Sequence, residues 1–393
     1  MASFISRQRV QERWQTIQDW LTSNDYKALV VLEPLNITYI SGWYVDVEPW
    51  ERPVAAVIPA EGNPFMLLHE LSVHHVKMAQ ARDSVYIDDI RFYVERPSSI
   101  RRTWMTPQWP QFVHEALRQR GLHRGRIAVD TAPASLAQLS DALHWQQETL
   151  LQTMRLVKHP DELELMRQAA SLADFGQEVF RSLVKPGLLM NEVDSKTVLA
   201  MQLEGAQRFP NCDLQVRCFS LTGPDSASPH GTGAGSAARI EAGHGIVNII
   251  LVRLNHYNIE NERTYFVGHY SELQERAFTC VQQAQAAAVA ACVPGNPLSA
   301  VDAAAQSIIE AGGFAEHIHH RSGHGIGLRG HDHPADIAFN HRPLIANEVY
   351  TIEPGIYIYG VGGFRHDDTV VVAQPPEVLT TTPKDIASMT LEP

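Results

Sequence analysis

The spacing of apolar residues near the start of the chain predicts an amphipathic helix. Four of them lie at successive intervals of four, three and four, and so share one helical face: Val10, Trp14, Ile17 and Leu21. Short apolar segments then predict strands at residues 28–32, 54–58, 64–68 and 127–129, and helices are predicted from residue 72 and after residue 134. Because strands alternating with helices are typical of α/β folds, we predict an α/β domain over residues 1–152.

A second domain, over residues 157–393, is predicted from a new helix signal in which a proline and two acids occupy the first turn after residue 159. It contains a faint repeat. Pro186-Gly187 and Pro294-Gly295 are each followed, eight residues after the proline, by an aspartate, Asp194 and Asp302. Predicted strands follow at residues 214–220, 246–254, 264–268, 348–352 and 369–372. So few identities can arise by chance, but two similar α/β halves with a site between them is the simplest architecture.

Composition and charge exclude several classes of function. The chain of 393 residues carries 32 Lys and Arg against 44 Asp and Glu, a net charge of −12, which disfavours nucleic acid and anionic membrane surfaces as partners. No apolar run approaches the ~20 residues of a membrane span, and the first residues lead directly into a charged helix, so we expect a cytoplasmic protein. The four cysteines lack metal-type spacing, and buried free thiols are expected.

Ionisable residues are concentrated in four segments of the second domain, at residues 223–230, 258–264, 322–327 and 351–368. If 258–264 is a strand, Glu260, Glu262 and Thr264 lie on one face. Two such carboxylates need a cation, a metal or a shared proton if they are buried, whereas an exposed strand face is an equally good interpretation. His230 lies in a Gly/Pro/Ser loop, where a surface turn is the simpler interpretation. His324 lies between glycines, which indicates a close approach of the backbone to another group.

Taken together, these segments resemble the pita-bread superfamily, which contains methionine aminopeptidases, Xaa-Pro peptidases and creatinase. The matching motifs occur in the family's order: Ser-Gly-His-Gly-Ile-Gly-Leu around His324, then His331, Ile-Glu-Pro-Gly around Glu353, and Gly-Phe-Arg-His-Asp-Asp around Asp367. The resemblance covers residues 157–393 and, more loosely, the first domain. It implies an α/β (α+β) fold in which a smaller creatinase/prolidase-type domain precedes a pita-bread catalytic domain with pseudo-twofold halves.

The peptidases of this superfamily are two-metal hydrolases with the ligands Asp, Asp, His, Glu and Glu. By the resemblance, the last four positions fall on Glu260, His324, Glu353 and Asp367. The first falls on Ile249, which cannot bind a metal, so a two-metal site is not expected. Glu262 stands where the peptidases have a threonine, and the resulting Glu-Arg-Thr is similar to creatinase, which uses no metal.

The first domain carries a further point of resemblance to creatinase. Its segment Trp50-Glu51-Arg52-Pro53 is similar to one whose arginine reaches across a dimer to the substrate carboxylate, which implies a homodimer with Arg52 contributed across a two-fold interface. The alternative is a surface ion pair of Arg52 with Glu48 or Glu51. A second carboxylate-binding arginine of creatinase falls on Ala335, which argues mildly against creatine as the substrate.

The resemblance favours a creatinase-like, metal-independent hydrolase that opens a non-peptide C–N bond. Its substrate is expected to be a small cation with a carboxylate, a guanidino acid or cyclic amidine such as creatine or ectoine. Catalysis is assigned to His230 as general base and then general acid, with the glutamates Glu262 and Glu353 binding the cation. Substrate binding is assigned to Trp50, Arg52, Glu260, His324, His331 and Asp367.

Two alternatives stay open. The first is an Xaa-Pro-type dipeptidase or aminopeptidase with one divalent metal, for which Glu260, His324, Glu353 and Asp367 are acceptable ligands. It accounts for the acids at positions 260 and 367 better than the creatinase-like interpretation does. It accounts neither for the isoleucine at position 249 nor for the glutamate at position 262. The second is a catalytically inactive binding paralogue. The metal content of the protein separates the two hydrolases, and a substrate panel separates both from the inactive paralogue.

Overall fold

The computed structural model describes residues 4–94, 108–138, 140–231, 237–334 and 337–393. The chain divides into two compact units, Phe4–Met154 and Arg155–Pro393. Both units combine helices with a sheet, so the predicted α/β class is confirmed. Among the described residues, no helix has the length and apolar character required to cross a bilayer.

The first part of the chain forms helices and strands in the following order: α1 (Arg7–Ser23), β1 (Ala28–Val31), α2 (Pro34–Ser41), β2 (Ala55–Pro59), β3 (Phe65–His69), α3 (Val73–Ala81), β4 (Asp89–Tyr93), α4 (Trp109–Arg118), β5 (Gly125–Val129), β6 (Leu143–Gln147) and α5 (Leu150–Leu156). The strands form a mixed sheet in the order β4-β3-β2-β1-β5-β6. Strands β1, β2 and β3 are buried along their whole length, which is why they appear as continuous apolar runs in the sequence.

Helix α1 follows the predicted spacing, since Val10, Ile17 and Leu21 are fully buried. Trp14 is only half-buried, and its indole N–H donates to the Ile40 carbonyl at 2.6 Å. The helix predicted after residue 134 is wrong: a single 3-10 turn, Ala134–Leu136, precedes strand β6. A strand forms at residues 143–147 because buried and exposed side chains follow the two-residue period of a strand. Leu143 is buried and its neighbours in β6 are largely exposed, which is typical of an edge strand.

The second unit contains the following helices and strands: α6 (Pro160–Leu183), α7 (Met190–Arg208), β7 (Leu214–Thr222), β8 (Gly245–Leu254), β9 (Tyr257–Val267), α8 (Glu272–Ala291), α9 (Leu298–Ala311), β10 (Val349–Ile352), β11 (Gly355–Ile358), β12 (Gly362–Arg365), β13 (Asp367–Val371), β14 (Glu377–Val378), α10 (Ile386–Met389) and β15 (Thr390–Leu391). The main sheet has the order β10-β13-β9-β8-β7, with β14 paired to β13 and β15 to β9, and β11 and β12 form a separate hairpin.

The predicted internal repeat is present in this unit. The pairs α6/α7 and α8/α9 are each joined through a Pro-Gly turn in which the glycine, Gly187 or Gly295, has a φ near +90°. The two aspartates that follow have the same function in each half. Asp194 accepts from the backbone N–H of Ser220 at 2.9 Å, and Asp302 accepts from that of Ser322 at 2.7 Å. Each half therefore anchors the segment after its second helix in the same way.

The cysteines carry no disulfide and are spread over the second unit. Cys218, Cys280 and Cys292 are buried, as expected for free thiols, and Cys212 is half-buried. Burial raises the pKa of Cys292 to about 12, so this thiol stays protonated at neutral pH. The cysteines are therefore packing residues rather than nucleophiles.

Candidate active site

Strand β9 supplies two carboxylates to a buried site. Glu260 and Glu262 lie two residues apart and so point to the same face, and they are only 9% and 4% exposed. The alternative of an exposed strand face is therefore wrong. Antiparallel pairing places Glu262 opposite Asp367 of β13 on one side and opposite Ile249 of β8 on the other. Since cross-strand partners point to the same face, these three side chains form a row across the sheet.

A glycine allows the histidine segment to approach β10. Gly323 has a φ of +153°, and a Cβ atom there would lie 2.0 Å from the carbonyl oxygen of Thr351. The close approach predicted for this motif is therefore present. The backbone N–H of His324 donates to the Thr351 hydroxyl at 3.0 Å, and the N–H of Glu353 donates to the Ser322 carbonyl at 2.8 Å. These contacts bring His324 and Glu353 side by side.

Three potential metal ligands meet at this point. His324 Nε2 lies 3.5 Å from Glu260 Oε2 and 3.4 Å from Glu353 Oε1. The ring of His331 stacks on that of His324 with 3.7 Å between the centroids. Ligand atoms of Glu260, His324 and His331 all lie within 4.8 Å of one another. A carboxylate and two imidazoles suit a borderline divalent cation such as zinc, manganese or iron.

Residues that sequence analysis missed hold His331 over His324. Asp332 donates its backbone N–H to the Gly325 carbonyl at 2.8 Å, which closes the loop between the two histidines. The side chain of Asp332 accepts from Arg155 Nη2 at 2.6 Å, and this pair is buried. Lys158 is buried beside it. The only sequence signal was the acid next to His331, because Arg155 lies far away along the chain.

The cation next to Glu262 is an arginine of the chain itself. Arg365 Nε and Nη2 face the two oxygens of Glu262, the latter at 3.1 Å, and Nη1 donates to the Tyr357 hydroxyl at 3.1 Å. Burial opposes the charge, but Glu262 and Tyr357 outweigh it and raise the pKa of Arg365. Arg365 was visible in the Gly-Phe-Arg motif, yet nothing in the sequence indicated its partner. The predicted contact of Glu262 with a cationic substrate stays a prediction.

His320 supports this arginine. The Nδ1 atom of His320 lies 2.6 Å from the Arg321 carbonyl, and Nε2 lies 2.7 Å from the Tyr357 hydroxyl. Because a carbonyl can only accept, Nδ1 carries the proton and Nε2 accepts from Tyr357. Burial lowers the pKa of His320, so the ring is neutral. The chain of contacts therefore runs from His320 through Tyr357 to Arg365.

The site carries an excess of negative charge. Burial raises the pKa of Glu262, and Glu353 and Glu260 add to the rise while the charge of Arg365 opposes it. Burial and the same carboxylates raise the pKa of Asp367. Its Oδ1 accepts from the Ile352 N–H at 3.0 Å, whereas Oδ2 is buried without a hydrogen-bond partner among the described residues. Such a site favours an additional cation.

Glu353 and His324 lie side by side, and the pKa of each is shifted toward its charged form. Burial opposes ionisation of Glu353, but His324 and Arg365 outweigh it and lower the pKa of this carboxyl. Burial likewise opposes protonation of His324, but its contact with Glu260 outweighs burial and raises the pKa. Glu353 is therefore ionised at neutral pH, which a proton acceptor requires.

His230 lies on the arginine side of the site. The carbonyl of the preceding Pro229 accepts from Arg365 Nη1 at 3.2 Å, and the His230 side chain is exposed. Its charge contributes to lowering the pKa of His320, after burial and Arg365. The structure thus brings His230 near the site, and its role as general base and acid stays a prediction.

The two predicted residues of the first unit are at its surface. Trp50 is 79% exposed, and Arg52 forms an ion pair with Glu51 at 2.8 Å, as the alternative interpretation proposed. The contribution of Arg52 to a partner's site in a homodimer stays a prediction. Ala335 lies outside the described residues.

Comparison with known proteins places this arrangement in a family. The model of metallopeptidase family M24 matches residues 164–374, just over half of the chain, and that of the creatinase/prolidase N-terminal domain matches residues 13–167. A putative dipeptidase of Bacillus subtilis is 29% identical over 382 residues, covering 95% of this chain and 99% of the relative.

Solved structures agree with this placement. The dipeptidase PepE from Mycobacterium ulcerans superimposes with a TM-score of 0.82 at 27% identity, covering the whole of both chains. The prolidase from Pyrococcus horikoshii OT3 gives a TM-score of 0.78 at 25% identity, covering 95% of this chain and 99% of the prolidase.

These relatives correct the predicted function. The prediction of a metal-independent amidinohydrolase acting on a non-peptide C–N bond is wrong, because the named relatives are dipeptidases and a prolidase. A site without a cofactor is not supported either, since Glu260, His324 and His331 converge as ligands. The prediction was based on Ile249 and Glu262, which depart from the peptidase pattern but do not exclude a metal at Glu260, His324 and His331.

The comparisons bear out the predicted architecture, a creatinase-type first domain followed by a pita-bread domain, while its placement in the metal-free creatinase branch is not confirmed. The motif around His324 and the ligand cluster lie within the matched region. By this match over most of its catalytic unit, the chain belongs to metallopeptidase family M24.

Proposed function

We propose that this protein is a metal-dependent peptidase that hydrolyses short peptides, with dipeptides as its first substrates. The observation that carries the proposal is the convergence of Glu260, His324 and His331, whose ligand atoms lie within 4.8 Å of one another. The names of the relatives, dipeptidase and prolidase, support the substrate class.

The residues of the site fit a divalent cation. Glu260, His324 and His331 would hold it, and the unpartnered Oδ2 of Asp367 together with the ionised Glu353 supplies further negative charge nearby. When bound, such an ion polarises the scissile carbonyl and makes a water molecule more acidic. Its charge would also offset the excess of carboxylates over fixed cations at the site.

Glu353 is the proposed proton acceptor. Its carboxylate is ionised and lies 3.4 Å from His324 Nε2, so it can accept a proton from a water molecule bound next to the histidine. The proton must then reach the leaving amine. His230 is the proposed donor for this step, because its imidazole is exposed and follows Pro229, whose carbonyl accepts from Arg365 at the site.

His331 has a second part in the proposal, besides its place in the ligand cluster. It is the exposed member of the ligand cluster, while His324 beneath it is buried. A substrate that enters from solvent meets His331 first, so its ring is positioned to orient the peptide over the buried carboxylates. The stacking of the two rings fixes this position.

The test is a metal-resolved assay. Purified protein is stripped with a chelator, reloaded separately with Mn²⁺, Co²⁺ or Zn²⁺, and incubated with dipeptides, including Xaa-Pro dipeptides. We expect hydrolysis that is lost on stripping and restored by one of the metals. Glu353→Gln should lower the rate of hydrolysis by about 10²–10⁴-fold, whereas Glu316→Gln, the same substitution at an exposed position, should leave it unchanged. Absence of peptide hydrolysis with every metal would point to the inactive paralogue.

A further inference from the structure

Four carboxylates face the site, and one of them already has a permanent counter-ion. The two oxygens of Glu262 face Nε and Nη2 of Arg365, and both side chains are buried. An arginine carries only donors and stays protonated at any physiological pH, so its contact with the Glu262 carboxylate, a hydrogen bond from Nη2 and a close approach of Nε, is a fixed ion pair. Glu262 is therefore not available to a metal.

The arginine is held on every side. Its Nη1 donates to the Tyr357 hydroxyl and to the Pro229 carbonyl, at 3.1 Å and 3.2 Å. Its backbone N–H donates to the Thr264 hydroxyl at 2.8 Å, and that hydroxyl donates to the Arg365 carbonyl at 2.9 Å. Tyr357 is in turn fixed by His320. The guanidinium cannot leave Glu262 without breaking these contacts.

The strand beyond Glu262 offers no alternative ligand. Ile249 is its partner on β8, is 2% exposed and faces the same side of the sheet. A divalent ion on this side would need to approach the Arg365 guanidinium. Among the residues that the structure describes, only Asp367 and Glu353 are placed to offset the repulsion between the two cations. The metal ligands identified above lie on the other side, around His324.

We propose that the Arg365 guanidinium is a built-in second cation of this active site, so that the protein binds one divalent ion and not two. The inference rests on the metal site of the proposed function. Arg365 supplies a positive charge next to Glu262 that no chelator removes, and the exchangeable ion is confined to the side of Glu260, His324 and His331.

The experiment counts ions in three forms of the stripped protein. Co²⁺ is titrated into wild type, Ile249→Asp and Ile249→Asp/Arg365→Met, and binding is followed by visible absorption and by native mass spectrometry. Ile249→Asn serves as the matched control, because it changes the shape of the side chain in the same way without adding charge. Thermal unfolding establishes that each variant is folded.

We expect one ion in the wild type and one in Ile249→Asp, because the new carboxylate meets a position already filled by the guanidinium. The double variant should bind two. Two ions in the wild type or in Ile249→Asp would overturn the inference, as would a folded double variant that binds only one. If the double variant does not fold, the number of ions bound by Ile249→Asp tests the inference by itself: one ion supports it and two overturn it. No ion in the wild type would overturn the metal site of the proposed function and this inference with it.

Discussion

The carboxylate of Glu353 is the residue on which the proposed chemistry depends. Replacement by glutamine keeps the shape but removes the proton acceptor, and general-base catalysis of this kind contributes about 10²–10⁴-fold to the rate. We therefore predict that Glu353→Gln lowers kcat on a dipeptide by about that factor. The measurement is steady-state kinetics of the metal-loaded protein, with Glu316→Gln as the control. Unchanged kcat would assign the proton transfer to another group.

Asp368 is a structural neighbour whose charge stabilises the fold. It accepts from Arg263 Nη2 at 2.7 Å and from Gln285 Nε2 at 2.7 Å, and it pairs with Lys384. Burial opposes its ionisation, but Arg263 and Lys384 outweigh burial and lower its pKa. Since the folded pKa lies below the unfolded value of ~3.9, the stabilisation is complete above that value and is lost as the pH falls through the folded pKa.

Asp368→Asn is therefore predicted to lower the free energy of unfolding by about 3–5 kcal/mol at pH 7, because it leaves the buried Arg263 and the half-buried Lys384 without their partner. The difference from wild type should narrow below about pH 4. Urea denaturation at several pH values measures both effects, with Asp213→Asn, at a more exposed ion pair, as the control. A difference that is independent of pH would contradict the assigned cause.

At the level of single residues, sequence could identify the acids and histidines but not their partners. Glu260, His324 and Glu353 are recognisable by their motifs. The partner of Glu262 is not, because Arg365 lies 103 residues away and reaches it only through the β11–β12 hairpin. A carboxylate assigned to the substrate thus turned out to face an internal cation.

The loop between His324 and His331 is the element that sets the spacing of the metal ligands. Its closure depends on Asp332, whose carboxylate is fixed by Arg155. Partners behind metal ligands typically contribute 10–100-fold to metal affinity. We predict that Asp332→Asn weakens Co²⁺ binding by about that factor while the stoichiometry stays the same. Isothermal titration measures it, with Asp213→Asn as the control, and unaltered affinity would show that the loop holds its shape without this pair.

Helices with a regular spacing of apolar residues were predictable from the sequence. Strands whose backbone packs directly against another segment were not. Helix α1 follows its predicted apolar spacing, and helix α6 begins at the proline and acids that predicted it. The hairpin of β11 and β12 was missed, since its glycines weaken the strand pattern. They are required there: a Cβ on Gly363 would lie 2.2 Å from the Ser226 carbonyl oxygen. The register that aligns Ile249, Glu262 and Asp367 across three strands likewise has no signal in the sequence.

For the whole molecule, an ion held by the folded state alone must stabilise it. Binding at 100 times the dissociation constant adds about 2.7 kcal/mol to the free energy of unfolding. We predict that the second unit unfolds at a higher temperature with saturating Mn²⁺ or Co²⁺ than after chelation, and that His324→Ala removes the difference. Differential scanning calorimetry measures both. Equal unfolding temperatures with and without the metals would contradict the ligand cluster.

The fold of the whole molecule was recognisable from the order of its motifs, but its chemistry was misjudged. Ile249 and Glu262 depart from the two-metal pattern and suggested a metal-free enzyme. The structure gives these departures a different meaning, since Glu262 pairs with Arg365 while Glu260, His324 and His331 still converge. The loss of ligands on one side of a site does not remove those on the other.

Dipeptide hydrolysis by the stripped protein, before and after stoichiometric addition of a single divalent metal, is the decisive measurement of the proposed activity. We predict no turnover before the addition and full turnover after one equivalent. Turnover that persists in the stripped protein, or that is absent under every metal, would contradict a metal-dependent peptidase built on Glu260, His324 and His331.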